Sequence, residues 1–93
     1  MPAVPLSMPK VSEFFWIVIA LFYADHHPPH FHARYGDHEA TFAIATLEIL
    51  AGSLPRRPHA LVLEWANLHR SELEQDWDRA GRGEPLARIP PLE

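Results

Sequence analysis

A chain of 93 residues, of which 47% are apolar, is long enough for one domain with a single hydrophobic core. Its formal net charge of −4 excludes a strongly basic nucleic-acid-binding protein, although several arginines in the second half leave room for a local basic patch. The absence of cysteine excludes disulfides and thiolate chemistry, and it is typical of a protein in the reducing cytoplasm.

The N-terminal part divides into a proline-rich start and a long apolar run. Residues 1–7 are predicted to be a disordered prelude, so a single domain should span residues 8–93. The uncharged run FFWIVIALFYA over 14–24 predicts one long first strand, because it is rich in β-branched and aromatic residues. A bilayer span takes about 20 residues, so no membrane association is expected. Since both faces of this strand are apolar, we expect a homodimer or a partner protein to cover one of them.

Further strands follow in the middle of the chain. Period-two alternation predicts strands over about 30–35 and 38–45, and Gly36-Asp37 between them indicates a hairpin turn. A short fourth strand over 46–50 is a further option. The order of these strands favours an antiparallel meander.

One long helix is predicted over about 57–80, with Pro58 in its first turn and Gly81 just beyond its end. Its apolar stripe has to pack on the sheet. A proline-rich extended arm completes the chain. The predicted fold class is therefore α+β, an antiparallel sheet of three to four strands packed on one long helix.

The most distinctive stretch is DHHPPHFH, over residues 25–32. The double proline predicts a stiff, extended turn, because each proline fixes its own φ and restricts the residue before it. In the strand that follows, His30 and His32 should project side by side from one face, as residues i and i+2 do. The opposite face of that strand is apolar and carries Phe31, Ala33 and Tyr35.

Three uses of these histidines stay open. They can hydrogen-bond the backbone of the turn, as polar groups in turns often do. They can bind a divalent metal such as zinc, with His26, His30 and His32 as ligands. They can also serve in acid/base catalysis or in contacts to RNA, because an imidazole titrates near neutral pH. No helical metal-binding spacing and no cysteine accompanies them, so no cofactor is expected and zinc is kept as the alternative.

A second group of polar residues lies on the predicted helix. His69 falls within the apolar stripe, and we expect it to meet His30 and His32 in one catalytic site, with Glu72 fixing its tautomer. The alternative is that the helix covers the apolar face of the strand. In that case His69 meets Tyr35 or Phe31, and the site consists of His30, His32 and Arg34 alone on the outer face. The predicted substrate-binding residues are Arg34, Tyr35 and Arg70.

The DHHPPHFH stretch resembles the signature of an uncharacterised bacterial family, domain-of-unknown-function family 4160. The similarity covers residues 8–93. Beyond the histidine stretch it is carried by Phe14-Phe15, Leu54-Pro55-Arg56-Arg57, Glu64-Trp65, His69-Arg70, Glu72-Leu73, Trp77 and Ile89-Pro90-Pro91-Leu92.

The resemblance implies a DhiT-type protein, the toxin component of a type II toxin–antitoxin pair. Such a protein is expected to work in the cytoplasm and to be neutralised by a cognate antitoxin. We expect a toxin of this kind to cleave or block RNA through a metal-free histidine site. The alternative is a non-enzymatic protein-interaction module, stabilised by a metal or not, so whether the chain is an enzyme stays open at this point.

Overall fold

The structure is a computed structural model, and it describes residues 9–23 and 25–93. The predicted prelude over 1–7 and the last residue of the predicted first strand lie outside the described residues. Five strands form one antiparallel meander in chain order, and two helices follow them. The elements are β1 (Lys10–Phe14), β2 (Ile17–Ala20), β3 (His30–Tyr35), β4 (His38–Ala43), β5 (Ile49–Gly52), α1 (Arg56–Leu68) and α2 (Arg70–Gly81). The α+β class is confirmed, and β3 has the predicted bounds.

The prediction of one long first strand is wrong. The chain reverses at Phe15 and Trp16, and the strands on either side pair with each other, with Phe14 opposite Ile17. Both turn residues have positive φ, 47° and 65°, which a two-residue hairpin of the primed type requires. The turn could not be read from the sequence because large aromatic residues rarely adopt this conformation. The sheet therefore has five strands rather than three or four.

The two helices cover the apolar face of the sheet. Trp65 of α1 lies against Phe31 of β3 and Phe14 of β1, with ring centroids 6.1 and 5.3 Å apart. Phe31 also stacks on Phe42 of β4 at 5.3 Å. Burial of large rings such as these stabilises a small domain through the hydrophobic effect. As a consequence, His30 and His32 lie on the other face of the sheet.

The single predicted helix is in fact two helices that meet at His69. This residue has φ −119° and ψ 25°, so it leaves the helical conformation for one position. Its N–H still bonds the carbonyl of Trp65, and its carbonyl accepts from the N–H of Leu73. The break was not predicted because a one-residue interruption of this kind leaves the apolar stripe in place. No helix in the described part of the chain is long and apolar enough to cross a membrane.

The C-terminal arm runs in an extended conformation beside β1. The N–H of Ile89 donates to the carbonyl of Val11 at 2.8 Å, and the Ile89 side chain is buried. The indole N–H of Trp65 donates to the carbonyl of Pro90 at 2.8 Å. The arm therefore closes one edge of the core and satisfies the indole N–H of Trp65, the largest fully buried side chain among the described residues.

Candidate functional site

The turn between β2 and β3 brings a carboxylate back to the start of β3. Asp25 precedes the double proline, and the His27–Pro28 peptide bond is cis. The turn places Oδ2 of Asp25 2.8 Å from Nε2 of His30, the first residue of β3. The backbone N–H of His26 donates to the other carboxylate oxygen at 2.9 Å. Both oxygens of Asp25 are thus held by neighbours within the same stretch.

His30 and His32 lie side by side on the outer face of the sheet, as the period of the strand predicts. Their ring centroids are 5.1 Å apart. Both rings direct Nε2 toward the same oxygen, because Oδ2 of Asp25 lies 3.5 Å from Nε2 of His32 as well. One ligand atom from each of these three residues lies within 4.8 Å of the others. We call this group the Asp25 cluster.

The outer nitrogens of both imidazoles have partners of their own. Nδ1 of His30 lies 2.7 Å from the carbonyl of Pro28, which can only accept, so Nδ1 carries the proton. Nδ1 of His32 lies 3.3 Å from the hydroxyl of Thr41 on β4. Nε2 of His32 is buried and has no hydrogen-bond partner among the residues that the structure describes. Nε2 of His30 shares a proton with Oδ2 of Asp25, which a metal ion bound there would displace, and His32 directs an unsatisfied nitrogen to the same point.

The electrostatics of the cluster favour an ionised Asp25 beside a neutral His32. Burial opposes ionisation of Asp25, but the hydrogen bonds from the His26 N–H and the His30 ring outweigh it and lower the pKa of this carboxyl. Burial also lowers the pKa of His32, and the neighbouring His30 acts in the same direction. The attraction of Asp25 and Glu39 opposes this shift without reversing it. These are the protonation states that metal ligands require.

The cluster opens into a cleft of about 380 Å³ on the outer face of the sheet. Phe22 forms one wall, with its ring centroid 4.4 Å from that of His32. His26 lies at the rim, where its side chain is 86% exposed and Nδ1 is 2.9 Å from Oδ1 of Asp25. On another side, Trp77 of α2 packs against His30 with centroids 5.1 Å apart. One side of the cluster is therefore closed by aromatic rings and the other is open to a ligand.

The structure does not bring His69 into this group. Its Nδ1 lies 2.6 Å from Oε1 of Glu72, and its ring packs on Trp65 at 5.5 Å. The pairing of His69 with Glu72 is the one that the helix spacing predicts. The helices cover the Phe31 face, so His69 lies next to a core tryptophan instead of meeting His30.

The three predicted substrate-binding residues do not line the cleft. Arg34 shares the face of the two histidines but lies farther along β3, opposite Glu39 of β4. Tyr35 lies on the inner face and is half-buried against the core. Arg70 begins α2, and its Nε is buried without a hydrogen-bond partner in the described ranges.

Two contributors to the cluster were not predicted. Asp25 begins the histidine stretch, and a carboxylate just before a rigid turn that reverses the chain is the signal that could have identified it. Thr41 is opposite His32 across the β3–β4 hairpin, so the hairpin register predicts that contact once the Gly36-Asp37 turn is accepted. The residue types were visible in the sequence, whereas their convergence depends on how the turn folds back.

The sequence pattern of a family described as Domain of unknown function (DUF4160) matches residues 17–78. This match covers two thirds of the chain and includes the whole Asp25 cluster. The chain belongs to this family. No curated protein and no solved structure matches it significantly. The DUF4160 description states no activity, so a function has to be argued from the geometry of the site.

Proposed function

We propose that the Asp25 cluster binds a divalent metal ion of the zinc type, and that the protein uses this ion to act on RNA as a toxin. One observation carries the proposal. Both imidazoles of the cluster engage outer groups through Nδ1 and direct Nε2 to the same oxygen of Asp25. In metal sites a ligating histidine commonly donates its other ring N–H to a carbonyl or a carboxylate, which fixes the tautomer.

The spacing of the three ligand atoms supports a small first-row metal. Ligand atoms on a tetrahedral zinc lie roughly 3.3 Å apart at the usual zinc–nitrogen distance. Oδ2 of Asp25 lies 2.8 and 3.5 Å from the two Nε2 atoms, close to this separation, and the ligand atoms of all three residues lie within 4.8 Å of one another. Two imidazoles and one carboxylate suit zinc or iron(II) better than magnesium or calcium, which prefer oxygen ligands.

A site with three protein ligands leaves a coordination position for water or a substrate, as catalytic zinc sites do. Here that position would face the cleft beside Phe22. A bound divalent ion supplies Lewis acidity and a water that ionises near neutral pH. It would also add local positive charge to a chain whose net charge is −4, and phosphate oxygens need such a charge to approach. The resemblance to DhiT-type toxins is what makes RNA the proposed substrate.

The experiment separates metal binding from toxicity. The protein is stripped with a chelator and titrated with zinc, and bound metal is measured by elemental analysis. Wild type and His69→Gln should each bind one zinc, and His32→Gln should bind none. A zinc concentration 100-fold above Kd should stabilise the folded protein by about 2.7 kcal/mol. Each kcal/mol raises the Tm of a domain of this size by about 4–8 °C. A wild-type protein that takes up no zinc, iron or manganese would contradict the metal site.

Toxicity is measured by induced expression in bacteria. Wild type and His69→Gln should arrest growth, whereas His32→Gln should not, provided that circular dichroism shows all three to be folded. RNA from arrested cells should show cleavage that the His32→Gln culture lacks. Growth arrest by His32→Gln equal to that of wild type would disprove the catalytic role of the cluster.

A second candidate function is a metal-stabilised interaction module without catalysis. The observation that favours it is the burial of His30, whose side chain is only 4% exposed, because structural metal sites are closed. This candidate predicts the same zinc uptake and the same gain in Tm. It predicts no growth arrest by the wild type, so the expression experiment distinguishes the two functions.

A further inference from the structure

The turn between β1 and β2 places two aromatic side chains in an unfavourable and exposed position. Phe15 and Trp16 both have positive φ, a conformation that costs about 1–2 kcal/mol for residues other than glycine. Asn-Gly is the sequence that such a turn favours. Phe15 is 50% exposed and Trp16 is 85% exposed, so burial in the core does not offset this strain for Trp16. Strained backbone positions cluster at active sites, ligand clamps and switch regions.

A groove adjoins this turn and continues along α1. Its first part, about 230 Å³, lies between Trp16 and α1 and is walled by Tyr35 and Leu61. Its second part, about 390 Å³, shares Leu61 and Arg57 with the first and extends to Glu64. We call these two parts the Trp16 groove. Tyr35 is at the opposite end of β3 from His30, roughly 16 Å along the strand, so the groove is separate from the Asp25 cluster.

The charges on the Trp16 groove are unbalanced. The side chains of Arg56 and Arg57 are exposed, and neither side chain makes a hydrogen bond or an ion pair with any residue that the structure describes. The acidic side chain that lines the groove, Glu64, lies two helical turns beyond Arg57. A guanidinium group binds a carboxylate through two parallel hydrogen bonds. The groove therefore combines an apolar floor, an exposed tryptophan and two guanidinium groups at one end.

We propose that the Trp16 groove binds an acidic segment of a partner protein, with an apolar side chain of that segment between Trp16 and Leu61 and its carboxylates on Arg56 and Arg57. Tryptophan and arginine are the residues that most often dominate protein–protein binding energy. Nucleic-acid interfaces carry far more positive charge than two guanidinium groups. A two-fold contact between copies of this chain would bring the arginine pairs of both copies into one interface, where Glu64 is the acidic residue of the groove that could offset them. This inference does not depend on the metal site or on toxicity.

The probe is a short labelled peptide in which one leucine is flanked by glutamates. Two matched peptides replace the glutamates by glutamine or the leucine by serine. Fluorescence anisotropy should show that the wild-type chain binds the first peptide at least about tenfold more tightly than either control. Arg57→Gln should weaken this binding about tenfold, whereas Arg88→Gln, an exposed arginine outside the groove, should leave it unchanged.

The decisive variant replaces the turn, Phe15→Asn together with Trp16→Gly. Because Asn-Gly relieves the positive-φ strain, the Tm should rise, while affinity for the glutamate peptide should fall at least about tenfold. If Phe15 and Trp16 served only to stabilise the fold, the Tm of this variant would fall instead. Unchanged peptide binding by this variant, or no binding by the wild type at about 1 mM peptide, overturns the proposal.

Two other outcomes identify a different occupant. If light scattering shows that the wild type is a dimer and the Asn-Gly variant a monomer, the Trp16 groove binds a second copy of the chain, and the proposed acidic segment is overturned. Tighter binding of a single-stranded oligouridine than of the glutamate peptide, lost in the same variant, overturns it in favour of nucleic acid. Wild-type binding that requires both the glutamates and the leucine supports the acidic segment.

Discussion

Two histidine–carboxylate pairs of similar length lie in different parts of this molecule. Nε2 of His30 is 2.8 Å from Oδ2 of Asp25, and Nδ1 of His69 is 2.6 Å from Oε1 of Glu72. The second pair spans three residues at the start of a helix, and the Glu72 side chain is 42% exposed. Pairs of this kind form wherever helix spacing brings the two residue types together, and they contribute little.

The first pair differs in what surrounds it. The His30 and Asp25 side chains are 4% and 16% exposed, and a third group, Nε2 of His32, faces the same oxygen without a hydrogen-bond partner in the described part of the chain. A buried polar atom left unsatisfied costs about 1–3 kcal/mol, so its retention calls for an explanation. The comparison shows that a histidine–carboxylate contact alone does not indicate function. A third converging ligand and an adjoining cleft are the features that indicate a functional site.

The largest expected effect comes from removing the carboxylate of Asp25, with removal of the Glu72 carboxylate as the matched control. Asp25→Asn should lower zinc affinity by about 100-fold or more, because the amide loses the charge and the shared ligand atom of the cluster. Glu72→Gln changes the same chemical group at His69 and should leave zinc affinity unchanged. Isothermal titration calorimetry on chelator-treated protein measures both. Equal losses in the two variants would show that the ion is not bound at the Asp25 cluster.

A smaller effect is expected from the group that orients His32. Thr41→Val keeps the shape of the side chain and removes the hydroxyl 3.3 Å from Nδ1 of His32. Zinc affinity should fall by about tenfold, the lower end of what outer-sphere partners contribute. The matched control is Thr46→Val, whose hydroxyl accepts from the N–H of Glu48 rather than contacting an imidazole. A Thr41→Val protein with wild-type affinity would mean that Thr41 does not orient His32.

The parts of this structure that follow from local periodicity could be predicted from the sequence. The bounds of β3 and the shared face of His30 and His32 follow from alternation along one strand. The Gly36-Asp37 turn predicts the hairpin between β3 and β4, and the register of that hairpin places Thr41 opposite His32. The pairing of His69 with Glu72 follows from helix spacing in the same way.

The parts that depend on single backbone conformations could not be predicted. The reversal at Phe15 and Trp16 needs two aromatic residues at positive φ, so the run appeared as one strand. That error also affected the expected partner surface, because most of the run is covered within the chain and the large exposed side chains are concentrated at the turn. Asp25 joins the cluster only because the proline turn folds back, and no periodicity describes that contact.

The smallest expected effect is a dependence of stability on pH in the metal-free protein. Because the pKa of His32 is lowered from 6.5 in the folded state, the unfolded chain takes up a proton there at a higher pH than the folded chain does. The free energy of unfolding should therefore fall as the pH drops through 6.5. Asp25 has a pKa below its ordinary 3.8 when folded, so its contribution is present above that value and is lost at more acidic pH.

The two windows can be separated by one substitution each, with urea unfolding measured from pH 7.5 to 3 in the presence of a chelator. His32→Gln should flatten the decline near pH 6.5 and leave the acidic decline in place. Asp25→Asn should weaken the acidic decline. It should also steepen the decline near pH 6.5, because the carboxylate no longer favours protonated His32. A decline near pH 6.5 that is identical in wild type and His32→Gln would place the titrating group elsewhere, and would remove the argument that His32 is held neutral for a metal ion.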